Sequence, residues 1–159
     1  DVPENLGSIL SALEKISKER NIRIVLPQHP RTEKSLQQPK AQEQMERIRA
    51  NKLISLIPAV SFLDMINLEA GASLILTDSG GVQKEAWFME KPVVVLREET
   101  EWVEIIEAGN GVLSGANFEK IVSSSRKFLD NPPGNFPPIF GDGKAASQIL
   151  TVISTANWQ

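Results

Sequence analysis

Apolar positions along the chain alternate between two spacings. Leu6, Ile9, Leu10, Leu13 and Ile16 recur at helical intervals, with Glu4, Ser8, Ser11, Lys15 and Lys18 on the other side, which predicts a helix from about Pro3 to Arg20. Asn21 ends it, and Ile22 to Leu26 reads as a short buried strand. Glu33 to Arg49 is polar and densely charged, a pattern that predicts a loop with one or two helical stretches on a solvated face. Leu53 to Ile57 is a second strand. Ser61 to Ala70, with Phe62, Leu63, Ile66 and Leu68, fits a helix capped by Ser61, with Asp64 placed to favour its dipole and Gly71 closing it.

The third strand, Ser73 to Thr77, breaks at Asp78, Ser79, Gly80 and Gly81; Val82 to Met89 is helical, and Pro92 opens another buried run. That is one βαβ unit of a parallel sheet. Further on, Gly111 to Ser114 is a last short strand and Phe118 to Phe128 an amphipathic helix expected to pack on the sheet. Asp130 to Phe140, rich in proline and asparagine, is a rigid surface loop. Asp142 is expected to cap a final helix whose apolar positions are Ala145, Ile149, Leu150 and Ile153. Five strands alternating with helices predict an α/β fold, a three-layer, doubly wound parallel sheet of Rossmann-like order. The opening Asp1-Val2-Pro3-Glu4-Asn5-Leu6 reads as the approach to a helix, so a single domain incomplete at its N-terminus is expected, and a strand before Asp1 would complete the sheet.

Composition adds exclusions. A chain of 159 residues with ordinary apolar content buries one core. The net charge of −3 is spread out and no basic patch stands out, which makes nucleic acid a poor partner. There is no cysteine, so disulfides and thiolate chemistry are out. No apolar run approaches the roughly 18 residues of a membrane span, and no signal-peptide pattern opens the chain, so a cytoplasmic location is the default.

The chemistry concentrates at Ser79-Gly80-Gly81. A strand-to-helix turn leaves N–H groups unpaired at a helix N-terminus, where the dipole favours negative charge and the glycines permit close approach; the expected guest is a phosphate. The alternative is a tight connection with no ligand. Glu85, one helical turn on, points back toward the turn, where a carboxylate can accept hydrogen bonds from a sugar diol. His29, the only histidine, follows the first strand at the edge where parallel sheets bind ligands; it is either a solvated loop side chain or ligand-facing. Trp102 either plugs the core or walls a pocket. The glutamates between Arg97 and Gly109 read as a solvated helix face, so no metal is expected, and nothing calls for a cofactor. Gly141 and Gly143 flank a second helix start that reads as a plain cap. Asp-Ser-Gly-Gly also ends the serine motif of trypsin-like proteases, but an α/β alternation with one unpartnered histidine does not fit a triad. Neither a nucleophile elbow, a G-x-x-x-x-G-K-S/T loop nor G-x-G-x-x-G is present.

The segments T-D-S-G-G-V-Q-K-E-A, K-P-V-V-V-L-R and T-E-W-V-E-I-I-E-A-G, with P-Q-H-P-R-T upstream and F-G-D-G-K-A-A downstream, resemble the C-terminal domain of the non-hydrolysing UDP-N-acetylglucosamine 2-epimerases. The resemblance runs over nearly the whole chain. It implies the nucleotide-binding half of a two-domain, GT-B-type enzyme that inverts carbon 2 of a UDP-sugar by anti elimination and readdition of UDP. It also implies that Ser79, Gly80 and Gly81 hold the diphosphate, that Glu85 holds the ribose and that Met65 takes the place of an aromatic ring against the uracil. Thr100-Glu101-Trp102-Val103-Glu104 stands where some relatives have T-E-R-P-E with an arginine reaching the nucleotide. This form, with H-P-R-T, is similar to members acting on the 2,3-diacetamido-glucuronate sugar as well as to some using UDP-N-acetylglucosamine. The family's H-R-x-E-N segment and catalytic carboxylates would lie before Asp1, leaving no catalytic residue here, and the full-length relatives generally form homodimers. The competing expectations are the donor-binding domain of a glycosyltransferase and a stand-alone flavodoxin-like binding module.

Overall fold

The computed structural model describes residues 3–28 and 39–156. Helix α1 (Pro3–Arg20) ends as its spacing predicts: Asn21 takes a left-handed φ of 51°, a conformation asparagine tolerates better than most residues. Strand β1 (Ile24–Gln28) begins two residues later than predicted, because Ile22 turns into the core beside Ile16 and Ile121 instead of joining a ladder. It pairs in parallel with β2 (Ile54–Pro58), Ile24 opposite Ile54.

Between them the charged segment departs from expectation. Helix α2 (Pro39–Ala50) is not merely a solvated face: Met45 and Ile48 are buried with Leu10, Leu13 and Ile54. Two apolar residues three apart suffice to pin a helix stripe to a core, and charges fill the rest of its surface.

Helix α3 (Phe62–Gly71) starts where Ser61 accepts from the Asp64 N–H at 3.3 Å, while the Ser61 hydroxyl donates to the Asp64 carboxylate at 2.7 Å. Ser61 is thus an ordinary N-cap, and the Asp64 carboxylate holds its hydroxyl in place while favouring the positive end of the helix dipole. Strand β3 (Ile75–Thr77), helix α4 (Gly80–Phe88), strand β4 (Val93–Val95), the short helix α5 (Val103–Glu107), strand β5 (Gly111–Leu113) and helix α6 (Phe118–Asp130) follow. The three valines of β4 are wholly buried, as befits a central parallel strand covered on both faces.

Among the described residues the strands do not form one continuous sheet: β1 pairs with β2, and β3, β4 and β5 form a separate parallel ladder. A doubly wound order of 3-2-1-4-5-6 without its strand 1 leaves a pair and a triplet, which is the arrangement found. Helix α1 spans the two ladders. Its Leu10 and Leu13 pack with the first, Ala12 and Ile16 pack on Ile121 and Val122 of α6, and Leu76 of β3 touches both clusters. Arg126 of α6 clasps Glu19 of α1 through two hydrogen bonds, of 2.7 and 2.6 Å.

The C-terminal region also differs from expectation. Residues 131–140 are irregular, but Phe136 and Phe140 fold back edge-on against the buried Trp87, at centroid distances of 5.3 and 5.9 Å. Asp142 does not cap the last helix, α7 (Ala145–Thr155). The cap position is Lys144, and Asp142 accepts the Lys144 N–H and pairs with its ammonium without reaching into the helix, because the left-handed Gly141 and Gly143 displace the helix start. α7 buries none of its residues, and Leu150 and Val152 stay 72% and 64% exposed. Among the described residues no helix is long and apolar enough to cross a membrane.

Candidate functional site

The turn from β3 into α4 is built by its own side chains. Thr77, buried at the strand end, accepts the Ser79 N–H on its hydroxyl at 3.0 Å. Ser79 is the N-cap, with extended φ and ψ of −86° and 126°; its hydroxyl accepts weakly from Val82 at 3.5 Å and its carbonyl accepts from Gln83 at 3.2 Å. The N–H groups of Gly80 and Gly81 head the helix with no partner among the described residues, at the positive end of its dipole. Both glycines lack a left-handed φ. A methyl group built on Gly81 would meet only the Ser79 hydroxyl, at an ordinary 3.7 Å. The fold therefore does not demand glycine at 81, whereas a ligand seated on these amides would.

Trp102 combines the two roles left open for it. Its indole N–H donates to the Gly80 carbonyl at 2.8 Å, and its ring meets Phe140 edge-on at 5.5 Å. Its own N–H donates to the Thr100 hydroxyl, which donates in turn to the buried Gln83 at 2.5 Å. The indole thus fastens the turn to the aromatic cluster of Trp87, Phe136 and Phe140. Lys84 lies with its ammonium 4.4 Å from the Trp102 ring centroid and 4.7 Å from that of Phe140. The methylated edge of Gly80, were it alanine, would come within 3.2 Å of the Glu101 carboxylate. Glu101 is held there by Arg97, two hydrogen bonds of 3.0 Å each, and the guanidinium keeps the Glu101 carboxyl below the usual carboxylate range. A cation and its counter-charge therefore stand beside the open amides.

Glu85 lies half-buried on α4. Facing it from α3 is Glu69, only 3% exposed, with neither carboxylate oxygen meeting a donor among the described residues. Burial first, and the Glu85 charge and hydrogen bond second, push the Glu69 carboxyl up to about 7. Met65, half-buried, sits one turn before Glu69 on the same helix face. Ser79, Gly80, Gly81, Glu85 and Trp102 thus gather around one helix start, with Met65 on the adjoining helix. His29 lies outside the described residues. Sequence reasoning missed Glu69, Arg97 and the Thr100–Gln83 bond, and the acid inside the otherwise apolar run Leu68-Glu69-Ala70 was the one signal for the first of them.

Comparison with known proteins follows the same residues. The sequence model of the family described as UDP-N-acetylglucosamine 2-epimerase matches residues 1–154. A UDP-N-acetylglucosamine 2-epimerase homolog of Methanococcus maripaludis is 43% identical over 154 residues, covering 96% of this chain and 41% of that protein. The UDP-2,3-diacetamido-2,3-dideoxy-D-glucuronate 2-epimerase of Pseudomonas aeruginosa is 41% identical over 155 residues, covering 97% and 41%. Among solved structures, the Methanocaldococcus jannaschii UDP-GlcNAc 2-epimerase in complex with UDP-GlcNAc and UDP superposes with a TM-score of 0.84 at 35% identity, covering 98% of this chain and 42% of that one. The chain spans about two fifths of the length of these relatives. On the match of its turn, its fold and nearly all of its length, the chain belongs to the UDP-N-acetylglucosamine 2-epimerase family.

Proposed function

We propose that these residues are the UDP-binding half of a two-domain sugar-nucleotide 2-epimerase. The observation that carries the reading is the pair of unpartnered amides at Gly80 and Gly81, on a helix start where the fold itself has no use for glycine at 81. In this reading the amides and the Ser79 hydroxyl receive the diphosphate, Glu85 accepts the ribose hydroxyls, and Met65 lies against the uracil. Catalysis of UDP departure from a sugar needs stabilisation of the developing diphosphate charge, and preorganised amides at a helix dipole supply it without reorganisation. The acid and base that act at carbon 2 come from the other domain, N-terminal to Asp1. The whole protein acts as a homodimer in the cytoplasm, a reducing compartment that a chain without cysteine suits.

Two features support the incomplete-domain part. Among the described residues the strands divide into a pair and a triplet, as they would around an absent central strand, and Leu150 and Val152 of α7 stay exposed. A strand preceding α1 and parallel to β1 and β3 fills the first gap by an ordinary right-handed crossover. The substrate reading follows UDP-N-acetylglucosamine, with the 2,3-diacetamido-glucuronate sugar as second choice. What favours that second choice is Trp102, which occupies the position of a nucleotide-reaching arginine and turns its N–H to the Gly80 carbonyl instead.

Calorimetric titration with UDP, UMP and uridine tests the reading. Affinity should fall stepwise as each phosphate is removed, since each loses contacts at the helix start. Equal affinity for all three would detach the turn from the diphosphate. Incubating the full-length protein with each UDP-sugar and following the carbon-2 epimer by NMR separates the two substrates.

A further inference from the structure

Strand β4 is the middle of its ladder, and its carboxyl end delivers a side chain that the nucleotide contacts above leave idle. Thr77 of β3 lies opposite Val95 of β4, and the Leu96 N–H donates to the Thr77 carbonyl at 2.8 Å. Past that pair the two strands run out to Ser79 and to Arg97. The arginine therefore leaves the sheet at the level of the glycine turn, on the edge where open parallel sheets receive ligands. Its backbone is fixed, because its carbonyl accepts the Gly115 N–H at 3.1 Å. Its guanidinium grips the Glu101 carboxylate as a fork, through two hydrogen bonds of 3.0 Å each.

Glu101 is held in an unusual place for a carboxylate. The residues on either side of it are tied to α4, Thr100 by its hydroxyl on Gln83 and Trp102 by its indole on the Gly80 carbonyl. The carboxylate consequently comes within 3.2 Å of where a methyl on Gly80 would stand. A negative group sits at the positive end of the α4 dipole, where a phosphate is expected to arrive, and two like charges repel each other there. The carboxylate is the one free to leave: its side chain is 57% exposed, and an ion pair so open to water is worth little. A phosphate offers the same planar fork two oxygens and more charge.

We propose that Arg97 is a diphosphate-binding residue of this site, kept oriented by Glu101 until UDP arrives and then transferred from the carboxylate to a phosphate. The proposal rests on the reading of the glycine turn as the diphosphate seat and supplies the cation that faces it. As UDP enters, the Glu101 carboxylate turns out to solvent. The Arg97 fork then closes on the diphosphate from the β4 side while the Gly80 and Gly81 amides hold it from the α4 side. Glu101 thus acts as an internal competitor, which aims the guanidinium and lowers the net affinity for the nucleotide.

The test uses the full-length protein as wild type, Arg97→Gln and Glu101→Gln, each titrated calorimetrically with UDP and with uridine. Arg97→Gln should bind UDP about 10- to 100-fold more weakly and uridine as before, because only phosphate contacts are lost. Glu101→Gln should bind UDP roughly two- to fivefold more tightly, the worth of an exposed ion pair that no longer has to be broken, again with uridine unchanged. A pair with a merely structural role would weaken both variants or neither, and would move UDP and uridine alike. Opposite signs confined to UDP cannot come from a damaged fold. In the wild type, nitrogen-15 NMR of the Arg97 guanidinium should shift with UDP and stay in place with uridine. If the wild type holds UDP more tightly than uridine and Arg97→Gln holds UDP equally well, the proposal alone is overturned and the glycine turn keeps the diphosphate. Glu101→Gln binding UDP no more tightly than the wild type would overturn the exchange of partners. Equal wild-type affinity for UDP and uridine would overturn the diphosphate seat, and the proposal with it.

Discussion

Substituting Gly81 by alanine should raise stability and weaken UDP binding together, a combination that a purely structural glycine cannot produce. Gly81 is the second residue of α4, has no left-handed φ, and offers an added methyl open space except for the Ser79 hydroxyl at 3.7 Å. Nothing in the protein must move. Alanine outranks glycine in helices and narrows the unfolded ensemble, so the fold should gain about 0.5–1 kcal/mol. For a domain of this size that is a rise of roughly 1–4 °C in Tm. The same methyl projects where an anion would approach the Gly80 and Gly81 amides. Losing one charge-assisted hydrogen bond costs about 1.5–3 kcal/mol, or roughly 10- to 100-fold in Kd. Thermal unfolding without ligand and calorimetry with UDP read the two effects separately. A variant less stable than the wild type, or one that binds UDP equally well, would rule out a glycine kept at 81 for a ligand.

Three further outcomes follow from particular contacts. Glu69→Gln should remove a pH dependence of stability: the folded-state value is raised from 4.5 to about 7, so the wild type is fully stabilised below pH 4.5 and loses stability as pH rises through about 7. The loss is of order 3 kcal/mol, and chemical denaturation at acid and alkaline pH should find it in the wild type and not in the variant. Trp102→Phe keeps the edge-on ring but deletes the donor to Gly80, and should cost about 1 kcal/mol in denaturant unfolding while loosening UDP, as the turn loses its tether. Gly115→Ala should destabilise by about 1–2 kcal/mol, because Gly115 has a left-handed φ of 56° and the Glu98 carboxylate must move aside for the methyl; a melting temperature equal to that of the wild type would count against the backbone described at that turn.

What could be read from the sequence was local. The strand, two glycines and helix from Ser73 to Met89 follow from neighbouring residues, so the βαβ unit and its open amides were foreseeable without tertiary information. The Ser61 cap and the left-handed Asn21 stop are of the same kind. What escaped depends on contacts between distant segments. Met45 and Ile48 are two apolar residues in a highly charged stretch, and only the approach of Leu10 and Leu13 makes them core. Phe136 and Phe140 sit among prolines and glycines that signal a loop, yet Trp87 recruits them. Asp142 was misplaced as a cap because the two left-handed glycines beside it move the helix start to Ala145. Glu69 is the sharpest case: its spacing places it on the inner face of α3, but a carboxylate facing it from α4 is invisible in one dimension.

In the proposed complex the diphosphate of UDP rests on the amides of Gly80 and Gly81 while its ribose meets Glu85. Amide and carboxyl NMR of the protein titrated in parallel with UDP and with uridine tests it most directly. UDP should shift the Gly80 and Gly81 amides downfield as they gain a charged acceptor, uridine should leave them nearly unmoved, and both ligands should shift the Glu85 carboxyl. Binding of UDP that leaves the two glycine amides where they were would place the diphosphate elsewhere.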